Sequence, residues 1–559
     1  MKKYKNKFLL KIKEYFPDSK TKWKQFSITS ILVILSAVIF ALNSFVDNFM
    51  STNIAGGNQA LSYANTWGAI ITGIISLTTI VGSAIFAQFL GKGDITKVKE
   101  TINLRILFAF FITLPICFPC WIAHDWMIRL VSGFDENLNA LIIDGAANYL
   151  RLITVSWIIN SVLFTYAMVL REKHHGLASF ICSLISLLLN IILNSIFVYG
   201  LHKGLDFLAY STIISYAVSL LYVFIFIIIK DKNIWINFFK IFKISKQVFV
   251  LFFKRIWSFL LLSLGSIAVS VRFIFWNMGY DSGSVGDPSY QISAATVLGI
   301  SGMFFNIFWT ALEAANTNVS IYVGKELGLN NFEEAQKNAK QLQGFHLIVS
   351  SIMGLLLFAF SFVIEKMSFL ANGYKSGLED ILSNNQQALT VEQQELINNA
   401  SNYLLQTIKY TLWPLAFFMP VFLWFITRNR VMAAGGYTNL VGAIEATGGW
   451  LQIVWLVLVV KVFNRHDNLD FALAYFIFFL SDIVKFIVYE IVYSKVNWVR
   501  NITNQDEINE ENKLLANIGY FKKSENSDNK NLKLEHEVHN LSELINDVYS
   551  EDESIMPNI

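Results

Sequence analysis

The sequence predicts an all-α membrane protein: twelve transmembrane helices in two six-helix lobes related by a parallel repeat, with a central cavity. Three observations predict it. Of 559 residues, 54% are hydrophobic and only 15% charged, with a mean hydropathy of +0.47, where soluble domains carry about 25% charged residues. Twelve apolar runs each reach the roughly 20 residues that cross a bilayer. The chain also repeats itself, Gly91 falling on Gly328 after 237 residues.

The runs lie near 26–50, 64–90, 102–123, 141–169, 177–199 and 206–229, then 256–279, 290–322, 343–364, 404–432, 440–463 and 470–494. Lipid offers backbone groups no hydrogen-bond partner, so each run must be a helix. The longer ones imply tilt or extension beyond the bilayer. The chain then divides into a basic N-terminal segment (1–25), an N-lobe (26–229), a basic linker (230–255), a C-lobe (256–494) and an acidic tail (495–559). Within the C-lobe, the polar loop 365–403 is expected to face outward with a short helix. The tail is expected to be disordered, with a transient helix about Leu541, Leu544, Ile545 and Val548.

Charge sets the orientation. Eighteen Lys and Arg lie beside the even-to-odd connections and the linker, among them Arg105, Arg171, Arg428 and Arg430; six lie on the other side. With the Lys-rich start, this places both termini in the cytoplasm of a multi-pass cell-membrane protein. Residues 501–559 carry 13 acidic and 5 basic groups, net −8, which leaves +11 for the rest of a chain of net charge +3. A basic membrane body with an acidic tail is not a nucleic-acid binder's pattern.

The composition excludes a disordered chain, a disulfide scaffold and an ordinary soluble enzyme. Cys117, Cys120 and Cys182 read as buried thiols, since no second pair or His cluster completes a zinc site. Gly91-Lys92-Gly93 lacks the spacing of a nucleotide loop. No enzymatic activity, cofactor or resident metal is expected.

The repeat is most explicit after the second and eighth runs, where Leu90-Gly91-Lys92-Gly93-Asp94 matches Leu327-Gly328-Leu329-Asn330-Asn331. Gly91 and Gly328 suit the left-handed residue that ends a helix. Asp94 and Asn331 suit the N-cap of the next. Parallel repeats of this kind place substrate and ion sites near mid-membrane, between or within the halves.

Several segments carry a family resemblance. Phe45-Val46-Asp47-Asn48-Phe49 resembles the first-helix aspartate motif of the multidrug and toxic-compound extrusion (MATE) family, within the wider multidrug, oligosaccharidyl-lipid and polysaccharide flippase group. Ala87-Gln88-Phe89-Leu90-Gly91-Lys92-Gly93-Asp94 and Val323-Gly324-Lys325-Glu326-Leu327-Gly328 resemble its paired loops. Ala433-Ala434-Gly435-Gly436-Tyr437-Thr438, Glu445, Trp450, Lys485 and Trp498-Val499-Arg500-Asn501 resemble later elements. The match spans about 26–501. It implies a secondary antiporter that exports small organic, often cationic, compounds in exchange for Na+ or H+ as its lobes rock. The expected partners are that substrate and the lipid bilayer, with the protein a monomer.

Ionisable groups inside a bilayer are costly, roughly +2.5–3.5 kcal/mol on insertion scales, and mark functional candidates. Asp47 is the sharpest. Asn190 and Asn194, four residues apart, share one face of the fifth helix. With Asp47 they could hold Na+ or a protonatable carboxyl, and the resemblance assigns such groups to coupling; Thr212 on the sixth helix resembles another polar position there. The bland reading is interhelical hydrogen bonding. In the second lobe the cavity candidates are Arg272, Glu313, Glu445 and Tyr437. An Arg272–Glu313 or Arg272–Glu445 ion pair is one outcome. Tyr437 stands where the family element has an Asp, and the seventh helix has no Glu, which argues against a second cation site. Phe304, Phe305, Phe308, Trp309, Trp413 and Trp424 either line a cavity or face lipid and neighbouring helices. Asp482, Lys485 and Glu490 read as pairing along a helix edge, and His174 and His175 as solvated loop residues.

Two other functions stay open. A flippase for a lipid-linked oligosaccharide or polysaccharide precursor would need a cationic cavity, for which Arg151 and Arg272 are the intramembrane candidates. A non-transporting membrane scaffold would act through the acidic tail.

Overall fold

The computed structural model describes residues 12–51, 54, 57–131, 140–235, 240–281, 283–382, 389–463 and 469–504. The N-terminal lysines up to residue 11, part of the outer loop (383–388) and the tail from 505, with its Leu541–Val548 stretch, lie outside the described residues.

Among the described residues, twelve helices are long and apolar enough to cross a membrane: α1 (Lys20–Ser51), α2 (Tyr63–Lys92), α3 (Ile95–Ile122), α4 (Ile142–Glu172), α5 (Gly176–Gly200), α6 (Asp206–Lys230), α7 (Lys246–Gly279), α8 (Ala294–Gly328), α9 (Phe332–Ile364), α10 (Val391–Ala434), α11 (Thr438–Phe463) and α12 (Phe471–Lys495). The chain is a multi-pass, all-α membrane protein. Among the edges that differ from the hydropathy reading are the starts of α10 and α7. A capping box starts α10 in the polar loop, where Gln393 N donates to Thr390 Oγ1 (3.2 Å) and Thr390 N to Gln393 Oε1 (2.9 Å). Helix α7 takes in Lys246–Phe253 from the basic linker. Asn372–Leu382 forms the short helix expected in the outer loop.

Helices α1 and α6 bury polar stripes and expose apolar ones. On α1 the buried set includes Ser30, Ser36, Asn43, Asp47 and Ser51, while Ile28, Ile31, Leu35, Phe45 and Phe49 are exposed. On α6 Ser211, Thr212, Ser215 and Ser219 are buried, while Ile214, Val218, Leu221 and Ile225 point out. Lipid removes the hydrophobic drive between helices, so small side chains allow close approach and hydroxyls bond across the seams. Ser36 bonds Ser183 (2.8 Å) in this way, and Asn43 donates to Ser186 (3.3 Å).

The packing obeys the repeat. Helices α1 and α5 pair in the first lobe as α7 and α11 do in the second, and α3 with α4 as α9 with α10. Between lobes, α1 meets α8 and α2 meets α7, each contact the image of the other, while α2 meets α8 on the axis. The 237-residue offset is visible there atom by atom. Ser83 Oγ lies 3.2 Å from Ser320 Oγ, its own equivalent. A Cβ on Gly91 would fall on the Lys325 carbonyl oxygen, and one on Gly328 on the Gln88 carbonyl oxygen. These glycines are therefore required for close approach and not, as expected, for a left-handed turn. The positive φ belongs to Gly93 (76°) and its equivalent Asn330 (59°). Asp94 caps α3 by accepting from Lys97 N (3.0 Å); Asn331 occupies the matching position without a side-chain cap and donates to Glu326 instead (3.0 Å).

Arg105 and Arg171, counted above as loop charges, lie within helices and are buried. Arg105 pairs with Glu172 at 2.7 Å, the two side chains 0% and 1% exposed. Breaking such a pair strands a charge, so Arg105→Met is expected to lose about 3–5 kcal/mol of stability. Replacing Glu172 by Met as well should restore most of it. Denaturant unfolding of the purified protein checks both; equal stability of the single and double variants would contradict this account.

Candidate functional site

Helices α1, α5 and α6 pack together so that their polar stripes meet. Asp47, one turn from the end of α1, is 7% exposed; Asn190 (1%), Asn194 (0%) and Thr212 (6%) surround it. Asn194 Nδ2 donates to Asp47 Oδ1 (2.7 Å) and to Asn190 Oδ1 (3.0 Å). Thr212 Oγ1 donates to Asp47 Oδ2 (3.2 Å) and accepts from Asn190 Nδ2 (3.2 Å). The four residues singled out in the sequence thus form one network. Among the described residues no Lys, Arg or His stands within ion-pair distance of Asp47. Asn194 Oδ1 and Asn43 Oδ1 are buried acceptors without a partner. A carboxylate with neutral donors, spare acceptors and no counter-charge suits a visiting cation or proton.

The second lobe encloses a cavity of about 530 Å³. Its walls include Phe305, Trp309, Phe422, Phe425, Tyr475 and Phe478, and its charged groups are Arg272, Arg430, Glu445, Asp482 and Lys485. Arg272 Nη1 donates to Gln452 Oε1 (2.8 Å), and Gln452 Nε2 to Asp482 Oδ1 (2.9 Å). Glu445 takes Lys485 Nζ (2.5 Å), Tyr489 Oη (2.7 Å) and Asn429 Nδ2 (3.0 Å).

The family model described as MatE matches residues 29–196. The first lobe thus carries a match to the MATE family model. It is similar to the probable multidrug resistance protein YoeA of Bacillus subtilis (strain 168), 21% identical over 350 residues, which are 61% of this chain and 72% of that protein. It shares its fold with a MOP superfamily transporter from Pyrococcus furiosus, with a TM-score of 0.64 and 16% identity over 86% of this chain and 98% of that one. The MATE transporter VcmN of Vibrio cholerae superposes with a TM-score of 0.64 at 14% identity, covering 85% and 98% of the two chains.

The second-lobe candidates separate. Arg272 and Glu445 line the cavity; Glu313 and Tyr437 do not. Glu313 lies on α8 at the lobe interface, 3.8 Å from Arg171 Nη1 of the other lobe. Tyr437 sits in the turn between α10 and α11, its ring under the Arg500 guanidinium at 4.2 Å. Neither expected Arg272 ion pair forms, because Gln452, Lys485 and Arg171 take those groups. Of the six aromatics, Phe305 and Trp309 reach the cavity. Phe304 packs on Phe360, Trp413 donates to Ser361 Oγ (3.1 Å) and Trp424 to Glu490 Oε1 (2.7 Å). Lys485 and Asp482, read above as helix-edge groups, face the cavity; Glu490 pairs with Arg428 (2.8 Å). Arg430, Asn429 and Gln452 were missed. Arg430 had been counted as a loop charge, and its place in the last turn of α10 is set by where that helix ends.

The same turn explains the end of the resemblance. Arg500 Nε donates to the Gly435 carbonyl (2.6 Å) and Asn501 Nδ2 to the Gly328 carbonyl (3.1 Å), clamping the ends of α10 and α8. Loop residue His175 stands 3.4 Å from Asp231, which Lys173 also engages at 2.5 Å.

Proposed function

We propose that this protein is a MATE-type secondary antiporter. It exports small organic compounds across the cell membrane in exchange for Na+ or H+, with both termini in the cytoplasm, acting as a monomer. The observation that carries the reading is Asp47: a buried carboxylate held by Asn194 and Thr212 without a cationic partner. Such a group is costly in a membrane unless something visits it. Asn190 orders the other two through its bonds to both.

Inter-lobe hydrogen bonds gather on the side of the α2–α3 turn, which the charge distribution assigns to the cytoplasm. They include Thr29 with Tyr322 (3.1 Å), Asn318 to Ser30 (2.8 Å) and Gln88 to the Ala434 carbonyl (2.9 Å). This is the arrangement of a transporter closed inward, and alternating access would part these contacts. The flippase reading has weaker support: of its two candidate arginines, Arg151 is exposed on α4 and Arg272 alone lines the cavity.

The protein reconstituted into liposomes decides the matter. An imposed Na+ or H+ gradient should drive accumulation of a fluorescent organic dye, and only one ion should serve. Dye movement indifferent to both gradients would overturn antiport.

A further inference from the structure

The C-lobe cavity holds an asymmetry that its charge count alone conceals. Three cations and two carboxylates line it: Arg272, Arg430 and Lys485 against Glu445 and Asp482. The carboxylates are engaged. Glu445 accepts three hydrogen bonds, including the ammonium of Lys485 at 2.5 Å, and Asp482 accepts from Gln452. The guanidiniums are engaged only in part, Arg272 giving Nη1 to Gln452. Nε and Nη1 of Arg430 have no hydrogen-bond partner, nor has Nε of Arg272. The carboxylates whose charge Arg430 feels are Glu313 and Glu445, and each stands closer to another cation, Arg171 at 3.8 Å and Lys485. Among the fully buried atoms of these charged groups, those without a partner are therefore donors, and guanidinium donors are matched by carboxylate or phosphate oxygens.

The cavity's size and walls narrow the class further. A volume of about 530 Å³ falls in the range of small-molecule sites, which are mostly apolar with a few polar anchors. Rings of Phe305, Trp309, Phe422 and Phe425 offer faces for a flat apolar body. We infer that the C-lobe cavity binds small aromatic compounds carrying an acidic group, the acid held by Arg430 and Arg272 and the ring by the aromatic wall. This rests on the transport reading for its purpose, since it names the substrate class of that transporter. It reverses the charge preference that the family resemblance implied.

The test uses the full chain in nanodiscs of neutral phosphatidylcholine, with dansylglycine as the acidic probe and dansylcholine as a cation bearing the same ring system. Fluorescence titration should show dansylglycine binding at least about tenfold more tightly. Arg430→Gln and Arg272→Gln should each weaken it by about ten- to a hundredfold, the loss of a charged hydrogen bond, and should not weaken dansylcholine, whose charge they repel less. Equal or tighter binding of dansylcholine, no binding of either probe, or wild-type affinity in both arginine variants would overturn the inference. So would loss of dansylglycine binding on adding phosphatidylglycerol, which would make the occupant a lipid headgroup. Should an arginine variant fail to fold, the preference of the unmodified protein decides. The two readings fail separately. Gradient-driven dye transport without acid preference sinks only this inference, and acid preference without gradient-driven transport sinks only antiport.

Discussion

Asp47→Asn is expected to reduce gradient-driven transport to the protein-free background while leaving the protein as stable as before, or more so. The side chain keeps its shape and can still meet Asn194 and Thr212, so the packing of α1 against α5 and α6 has no reason to change. What disappears is the one group in the cluster that can gain or lose a charge. Removing a buried carboxylate that has no cationic partner relieves a desolvation penalty. Function and stability should thus move in different directions, which a purely structural role would not allow. Thr212→Val and Asn194→Leu should slow transport less, since each removes one donor and keeps the carboxylate. Proteoliposome uptake under an imposed gradient, beside denaturant unfolding, reads both. Full transport by Asp47→Asn would end the coupling assignment. A non-transporting scaffold predicts no gradient-driven transport even by the unmodified protein, so the same measurement separates the two.

Much of this architecture was open to a reader of the chain. Hydropathy marks helices that must satisfy their own backbone, and lipid permits little else. The first-lobe cluster was open too, because Asn190 and Asn194 sit one turn apart and Asp47 is an anomaly in an apolar run. Such signals are local. Arg105, Arg430 and Lys485 illustrate what is not. A basic residue near a helix end looks the same whether it snorkels to water or turns inward to a partner. Only the tertiary fold assigns Arg105 to Glu172, 67 positions away, and Lys485 to Glu445, 40 away. Gly91 makes a subtler case. Its repeat with Gly328 was evident, but its cause is a carbonyl oxygen of the other lobe, which no local turn rule contains. The start of α10 was hidden for another reason: its first turns are polar, and a hydropathy scan does not see a capping box.

Joining the lobes covalently where they touch should stop the cycle. Ser83 and Ser320 are equivalent under the repeat and face each other across its axis at 3.2 Å, beside Glu172, whose Oε1 bonds Ser83 and lies 3.4 Å from Ser320 Oγ. The double variant Ser83→Cys, Ser320→Cys is expected to form a disulfide under mild oxidation, because the two side chains already point at one another. The native thiols Cys117, Cys120 and Cys182 are buried and free, so they should not compete. In the proposed cycle, opening toward the cytoplasm would require α2 and α8 to part at this point, and hydrogen bonds of about 1 kcal/mol each can be exchanged for bonds to water. A disulfide cannot. Oxidised protein should therefore transport at background level, recover with a thiol reductant, and still bind a probe from the outer side. Each single-cysteine variant should work with or without oxidant. Transport at the unmodified rate by fully cross-linked protein would mean that this contact never opens, and the inward gate would then have to lie elsewhere than at the α2–α8 axis.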